Sequence, residues 1–395
     1  MAAGCAARRG LDVTVIERNP RMARKVMITG KGRCNLTNNT TPEGVLAHVT
    51  RNGRFLYSAV TRFPPAAVME YFEALGVPLK TERGGRVFPC SDRAADVIDA
   101  LFFALKKEGV VLRRGKAEEL RLAQGRVVGV SLGEESLPAG AVILATGGLS
   151  YPATGSTGDG YRLAQSAGHT IVPPTPSLVP LEEAGDTCAQ MQGLSLKNVT
   201  LTLKNQKKKV VFQEQGEMLF THFGLSGPLV LSASAHANWS RDTYTAVLDL
   251  KPALEEEKLE ARILRDIAQA PNKAFHNFLE GLLPRRMVPV MGARVDIAPD
   301  LPVNALTKAQ RRRLVEAMKH FALPLAGPRP IREAIVTAGG VKTGEVDPGT
   351  MMSKKTAGLF FAGEILDLDA YTGGFNLQIA WCTGRAAGEG AARYS

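Results

Sequence analysis

Within residues 25–38 of this 395-residue chain, three kinds of chemically useful group crowd into one loop. Gly30 and Gly32 let a ligand approach the backbone closely, and Lys25, Lys31 and Arg33 offer cationic donors suited to phosphate. Asn35, Thr37 and Asn38 add neutral hydrogen bonds. Cys34 lies between Lys31 and Arg33 on one side and Asn35 on the other, which makes it a candidate low-pKa, catalytic thiol. It has no resolving cysteine nearby in sequence, and a buried structural cysteine is the commoner case. Just upstream, Glu17 closes the apolar run 11–16, where a strand-end acid accepts hydrogen bonds from an adenosine ribose; Arg18 follows it directly.

Other stretches carry chemistry of their own. Gly155-Ser156-Thr157-Gly158-Asp159-Gly160 is a glycine-rich turn into a helix N-terminus, suited to phosphate, but it lacks the Gly-Lys-Ser/Thr of a nucleoside-triphosphate loop. In Phe220-Thr221-His222-Phe223-Gly224-Leu225-Ser226-Gly227-Pro228, His222 sits between aromatics beside a helix start. That suits a proton donor, and equally a histidine satisfied within a packed turn. Thr146-Gly147-Gly148 follows an apolar strand and leaves backbone room for a ligand. Gly363-Glu364 resembles the turn that holds a ribityl chain in flavoproteins. Gly373-Gly374-Phe375-Asn376-Leu377 opens a final helix whose N-terminus would stabilise negative charge on a flavin pyrimidine. The remaining histidines show no metal-ligand spacing, and no metal site is expected.

The elements that must position these groups can be read from periodicity. An alanine-rich helix over 2–9 is closed by Gly10 and leads into the strand 11–16, the second half of a dinucleotide-binding βαβ unit. No strand or G-x-G-x-x-G loop precedes that helix in these residues. Pro64-Pro65 opens a helix, residues 83–85 turn a hairpin, and Asp92 is expected to cap a long helix. The apolar strand 141–145 precedes a helix over 160–167, and the prolines of 173–180 read as a domain boundary. Strands around 199–203 and 245–250 flank an expected solvated tip at Lys207–Lys209, and Thr307-x-x-Gln310 forms a capping box within a helical region. The pattern is α/β: a Rossmann-like domain built from residues 1–168 and 326–395. A β-rich substrate insertion (169–250) and a helical one (251–325) separate its halves.

Composition is that of a globular enzyme, 45% hydrophobic and 22% charged, with no apolar run near the ~20 residues of a membrane span. Five scattered cysteines without a C-x-x-C pair suit a reducing cytoplasm, and no secretory signal is visible. Most of the net charge of +11 lies in residues 1–62, where 11 Lys/Arg face 3 Asp/Glu. That excess neutralises a cofactor's pyrophosphate, or attracts a polyanion such as RNA.

Together these motifs resemble the bacterial FAD-dependent oxidoreductases of the HI0933-like (BaiN/RdsA, aminoacetone-oxidase-like) type over essentially the whole chain. The resemblance rests on Glu17-Arg18-Asn19, Lys25 through Asn38, Ala145 through Pro152, Gly155 through Tyr161, Phe220 through Pro228, Thr337 through Val341 and Phe361 through Leu377. It implies FAD as cofactor, with Glu17 and Arg18 at the adenosine end. Lys25, Gly30, Gly32, Arg33, Cys34 and Asn35 would line the pyrophosphate and flavin, and Thr146, Gly147, Gly148 and Asp159 the nucleotide half. Gly363, Glu364, Gly373, Gly374, Phe375, Asn376 and Leu377 would hold the ribityl chain and isoalloxazine. It also implies that about 20 residues, a strand plus its glycine loop, would ordinarily stand before Met1. A start codon assigned inside the first helix would account for that, and FAD affinity would suffer.

Activities in the family diverge, and three readings follow. The leading one takes hydride from transiently bound NADH or NADPH and reduces a uridine of 23S ribosomal RNA to dihydrouridine, with His222, then Cys34, as the acid. The second is a small-molecule enzyme, an aminoacetone-type oxidase or steroid enone reductase. The third is an RNA-binding protein without flavin. The oligomeric state is not legible.

Overall fold

Glycine-bounded apolar runs form parallel strands in a computed structural model that describes residues 1–395. Thr14–Glu17 pairs in parallel with Val111–Arg114, in the register Glu17 to Arg114. Val142–Leu144 pairs in parallel with Leu359–Phe361. Such pairs require a crossover, and the helix Ala94–Lys107 supplies part of the first. An antiparallel meander, Glu119–Ala123, Arg126–Leu132 and Glu135–Pro138, completes this side of the fold.

The chain divides into two units, Met1–Ser177 with Pro330–Ser395, and Leu178–Arg329. In the first, a Rossmann-type α/β unit, both chain ends meet. The last helix, Phe375–Tyr394, buries Ile379, Trp381, Ala387 and Ala391, and the first helix, Ala2–Ala7, lies against it. Gly388 permits that approach, because a Cβ there would stand 2.9 Å from the Cys5 Cβ. The proline-rich stretch holds the division between the units, as expected, and also a bulged strand, Ile171–Ser177, antiparallel to Val336–Val341. The first unit therefore extends to residue 177, past the expected limit of 168.

The second unit is a closed antiparallel barrel in the order Leu181–Glu183, Gly224–Ser226, Val210–Phe220, Ser195–Asn205, Tyr244–Asp249, Phe321–Pro328. Alternation is clear in Ser195–Asn205, which buries Val199, Leu201 and Leu203. The helices Glu256–Gln269, Phe275–Leu279, Val288–Val295 and Lys308–Lys319 are inserted between the last two barrel strands. The helical stretch thus ends at Lys319, six residues short of the expected boundary at 325, because the barrel needs a closing strand from Phe321.

The Thr307–Gln310 capping box is present. Asp92 caps nothing: the helix N-cap is Arg93, and the Asp92 carboxylate receives Arg33 and Lys80 instead. No helix is long and apolar enough to cross a membrane.

Candidate functional site

Glu364 follows the strand Leu359–Phe361 and becomes the centre of a polar node in the first unit. Its Oε1 accepts the Thr337 N–H at 2.8 Å and the Ser150 hydroxyl at 2.9 Å, while Oε2 pairs with the Lys25 ammonium. Lys25 also donates to Ser150 Oγ at 2.6 Å, and the Thr337 hydroxyl accepts the N–H groups of Leu149 and Ser150. Four motifs distant in sequence thereby converge, and the side chains of Lys25 and Glu364 remain partly exposed. Lys25 is thus bound to a carboxylate as well as facing solvent.

The loop 29–35 turns through left-handed backbone at Gly30, Lys31, Gly32 and Cys34. Arg33, expected among the phosphate donors, is drawn off by two acids: it pairs with Glu82 and with Asp92 at 2.6 Å, and lies over the Phe88 ring at 4.1 Å. Of the two readings of Cys34, the buried structural cysteine stands and the low-pKa thiol does not. Its side chain is fully buried, Lys31 is exposed and Arg33 is engaged elsewhere, so burial pushes the thiol up to about 12. Cys34 packs the loop.

Beyond it, the chain is laced to the last helix. Thr37 Oγ1 donates to Gln378 Oε1 at 2.7 Å, Trp381 Nε1 to Leu36 O at 2.9 Å, and Asn38 Nδ2 to Gly373 O at 3.0 Å. With its amide turned to match its neighbours, Asn35 accepts the Gly374 N–H at 3.0 Å and donates to Thr37 O at 3.1 Å. The N–H groups of Phe375, Asn376 and Leu377, in the first turn of this 20-residue helix, find no partner in the chain. They are donors aimed outward from a helix N-terminus. The Asn376 side chain, expected to face the cofactor, instead brackets Ala370, accepting its N–H at 3.0 Å and donating to its carbonyl at 2.7 Å.

Glu17 stands at its strand end as expected, partly exposed, with Oε1 accepting the N–H and the side-chain amide of Asn19. Asn19 reaches Thr154 O at 2.9 Å, and Arg18 reaches Thr157 and Asp159, both at 2.6 Å. The glycine-rich turn 155–160 is therefore brought against the strand-end acid. Burial pushes the Asp159 carboxyl up, but its bond from Thr157 and the charges of Lys116 and Arg18 outweigh that and leave it below its ordinary range.

A further cluster escaped sequence reading. Residues 48–52 run beside 367–371: Thr50 N–H donates to Asp369 O, and Tyr371 N–H to His48 O. His48, its Nδ1 2.7 Å from Gly44 O, stacks on Phe375 with ring centres 4.3 Å apart. Arg51 Nε approaches Asp369 Oδ1 at 2.6 Å, Ser177 Oγ donates to Asp369 Oδ2 at 2.6 Å, and Asn52 Nδ2 donates to Asp367 Oδ2 at 3.0 Å. Both aspartates are buried. No local sequence pattern marks this cluster.

In the second unit, His222 is exposed on the turn between Val210–Phe220 and Gly224–Ser226, edge-on to Phe223 at 5.0 Å. The helix Pro228–Ser234 begins just after it. It is a solvent-facing histidine, not one sealed within a packed turn.

Comparison with known proteins places this geometry. Residues 1–390 match the HI0933-like protein Rossmann domain. A 3-dehydro-bile acid delta(4,6)-reductase of Clostridium scindens is 33% identical over 99% of this chain and 96% of its own length. A ribosomal RNA dihydrouridine synthase of Escherichia coli is 31% identical over 97% of this chain and 93% of its own. Among solved structures, a flavocytochrome c3 fumarate reductase superposes with TM-score 0.52 at 16% identity, over 100% of this chain and 76% of that one. The 3-ketosteroid-delta4-(5alpha)-dehydrogenase of Rhodococcus jostii gives 0.50 at 15%, over 99% and 94%. Those two likenesses speak to fold alone.

Proposed function

The chain belongs to the HI0933-like Rossmann family of FAD-dependent oxidoreductases, and from that premise we propose that it reduces a C=C bond conjugated with a carbonyl, the substrate being a uridine of ribosomal RNA. The residues present fit FAD. Glu17 offers a partly exposed acid to the adenosine ribose, and the three unpartnered N–H groups of Phe375, Asn376 and Leu377 suit a flavin pyrimidine that gains negative charge on reduction. Gly363 and Glu364 would flank the ribityl chain, and Lys25, bridged to Glu364, would stand close to it. Bound FAD supplies the hydride, which it takes from NADH or NADPH. With no second glycine fingerprint to hold it, the nicotinamide would dock only transiently.

In this reading C6 of the uracil receives the hydride and C5 a proton. His222, on its exposed turn, is our candidate for the acid. Cys34 is not, being buried and held up to about 12.

The observation that carries the RNA reading is the uncompensated charge of the first 62 residues. Arg21, Arg24, Lys31 and Arg54 are all exposed and make no ion pair, whereas Arg18, Arg33 and Arg51 do. Free cations in that number suit a polyanion beyond one cofactor. The bile-acid reductase among the relatives favours a second reading, a steroid-type enone as substrate.

One experiment separates the two: incubation of FAD-loaded protein with NADH or NADPH and a ribosomal RNA fragment, followed by a dihydrouridine assay. Dihydrouridine formation that weakens with salt supports the RNA reading. No dihydrouridine, together with rapid turnover of a steroid enone, would overturn it in favour of the second.

A further inference from the structure

We propose that Arg51, braced by the buried carboxylate of Asp369, is the group that binds the carbonyl oxygen conjugated with the reacting C=C; this rests on the enone-type reduction proposed above. Asp369 is fully buried, and Ser177 already occupies one of its oxygens at 2.6 Å. A guanidinium serving only to neutralise that acid would dock fork to carboxylate, through two parallel N–H bonds. Arg51 does not. Its closest approach is Nε, 2.6 Å from Oδ1 but out of line, so that neither atom has an aligned hydrogen bond. Neither Nη group makes a hydrogen bond in the chain, and the side chain is 35% exposed. A permanent cation is thus anchored from behind with its outward donors free.

Its placement gives those donors a purpose. Residues 48–51 are fastened along 369–371, the segment that feeds the last helix. His48, three residues before Arg51, stacks on Phe375, the first residue of that helix. Asn52 is tied to both the carbonyl and the carboxylate of Asp367, which fixes the far side of the segment. Arg51 therefore belongs to the strip fastened along the segment that leads into the residues assigned above to the flavin pyrimidine.

The chemistry needs such a cation. When hydride from the reduced flavin bonds to the β carbon, the C=C electron pair shifts toward the carbonyl carbon and the carbonyl pair moves onto oxygen. Arg51 holds the resulting enolate through its Nη donors. The α carbon then takes a proton from a protein acid, the carbonyl re-forms, and a saturated C–C bond remains. In a uracil these atoms are C6, C5 and C4=O; in a 3-keto-4-ene they are C5, C4 and C3=O. One residue would thus serve either substrate class.

The test uses FAD-loaded wild type, Arg51→Ala and Arg51→Lys in rapid mixing. Flavin reduction by NADH or NADPH is followed separately from reoxidation by androst-4-ene-3,17-dione and by a ribosomal RNA transcript. Binding of 4-chlorophenol, an enolate mimic, is titrated by the absorbance of its phenolate. Loss of one preorganised oxyanion donor slows such a step by about a hundred- to a thousandfold. That loss is expected in reoxidation of Arg51→Ala, with partial rescue by guanidinium ion, retained reduction by nicotinamide and weakened 4-chlorophenol binding. Arg51→Lys keeps the charge on Asp369 but not the fork, and should fold, reoxidise slowly and resist rescue. It carries the test alone if Arg51→Ala leaves Asp369 unpaired and fails to fold. Wild-type activity with both variants reoxidising at the wild-type rate overturns the assignment of Arg51 alone. A wild type inert toward both acceptors overturns the proposed reaction and this inference together.

Discussion

Gly374 and Gly363 both have positive φ, 102° and 75°, but their surroundings differ, and alanine at each should separate steric from backbone cost. At Gly363 a new Cβ would meet nothing closer than the Ala380 Cβ at 3.7 Å, an ordinary contact. Only the left-handed backbone penalty applies, roughly 1–2 kcal/mol. At Gly374 the same penalty is joined by a collision: the Cβ would fall inside 3.0 Å of the Thr37 carbonyl oxygen, carbon and Cα. Those are backbone atoms, held by the Thr37–Gln378 and Trp381–Leu36 hydrogen bonds, so they cannot swing aside as a flexible side chain would. Overpacking of this kind costs about 1–3 kcal/mol more. Gly374→Ala should therefore be less stable than Gly363→Ala by that margin. The chain supplies its own probe, since only two tryptophans are present and Trp381 is buried in the last helix. In a Trp239→Phe background, urea unfolding followed by Trp381 fluorescence reports the first unit. Equal midpoints and slopes for the two variants would refute the steric argument, and with it the close approach of the Thr37 backbone to Gly374.

Four exposed or buried groups give shorter tests. Of the five cysteines only Cys90 is exposed, so a thiol reagent on native protein should label one site rapidly and Cys90→Ser should abolish it. A fast second thiol that disappears in Cys34→Ser would contradict the burial of Cys34. Glu17→Ala should weaken FAD retention by roughly ten- to a hundredfold, the worth of hydrogen bonds to a charged acceptor; unchanged flavin affinity by equilibrium titration would remove Glu17 from the site. Burial pushes the Glu345 carboxyl up, but Lys355 and the N–H and hydroxyl of Thr170 prevail and hold it at about 2. Its stabilisation is therefore present above its ordinary 4.5 and is lost as pH falls toward 2, so Glu345→Gln should flatten acid unfolding in that window. Burial lowers the pKa of His169, which protonates more readily once unfolded. Its contribution should fade as pH drops below 6.5, and a His169→Gln stability profile as steep as wild type there would count against that.

The sequence showed what local pattern can show. Glu17 at a strand end, the glycine pair before the last helix and the capping box at Thr307 each depend on neighbours within a few residues, and each stands where expected. The readings that changed turned on partners far along the chain. Arg33 and Cys34 look alike in sequence, both within a basic loop, yet the left-handed turns at Gly30–Gly32 and Cys34 send one out to Glu82 and Asp92 and the other inward. Flanking charge lowers a thiol pKa only if the charges face the sulfur, which sequence adjacency cannot settle and backbone conformation does.

Proline marked the division between the units but hid a strand. In 173–180 it was read as a domain boundary, and the division between the units does fall there, after Ser177, yet a bulge lets the strand Ile171–Ser177 carry Pro173, Pro174 and Pro176 against Val336–Val341. Arg51 and Asp369 went unread because nothing near either residue marks it. Their meeting depends on residues 48–52 lying along the segment before the last helix. A fully buried acid facing a half-satisfied arginine costs stability that a hydrophobic pair would not. Such an arrangement persists most readily where the free side of the cation has a ligand to hold, which is why the least legible pair in the chain marks the substrate end of the site we propose.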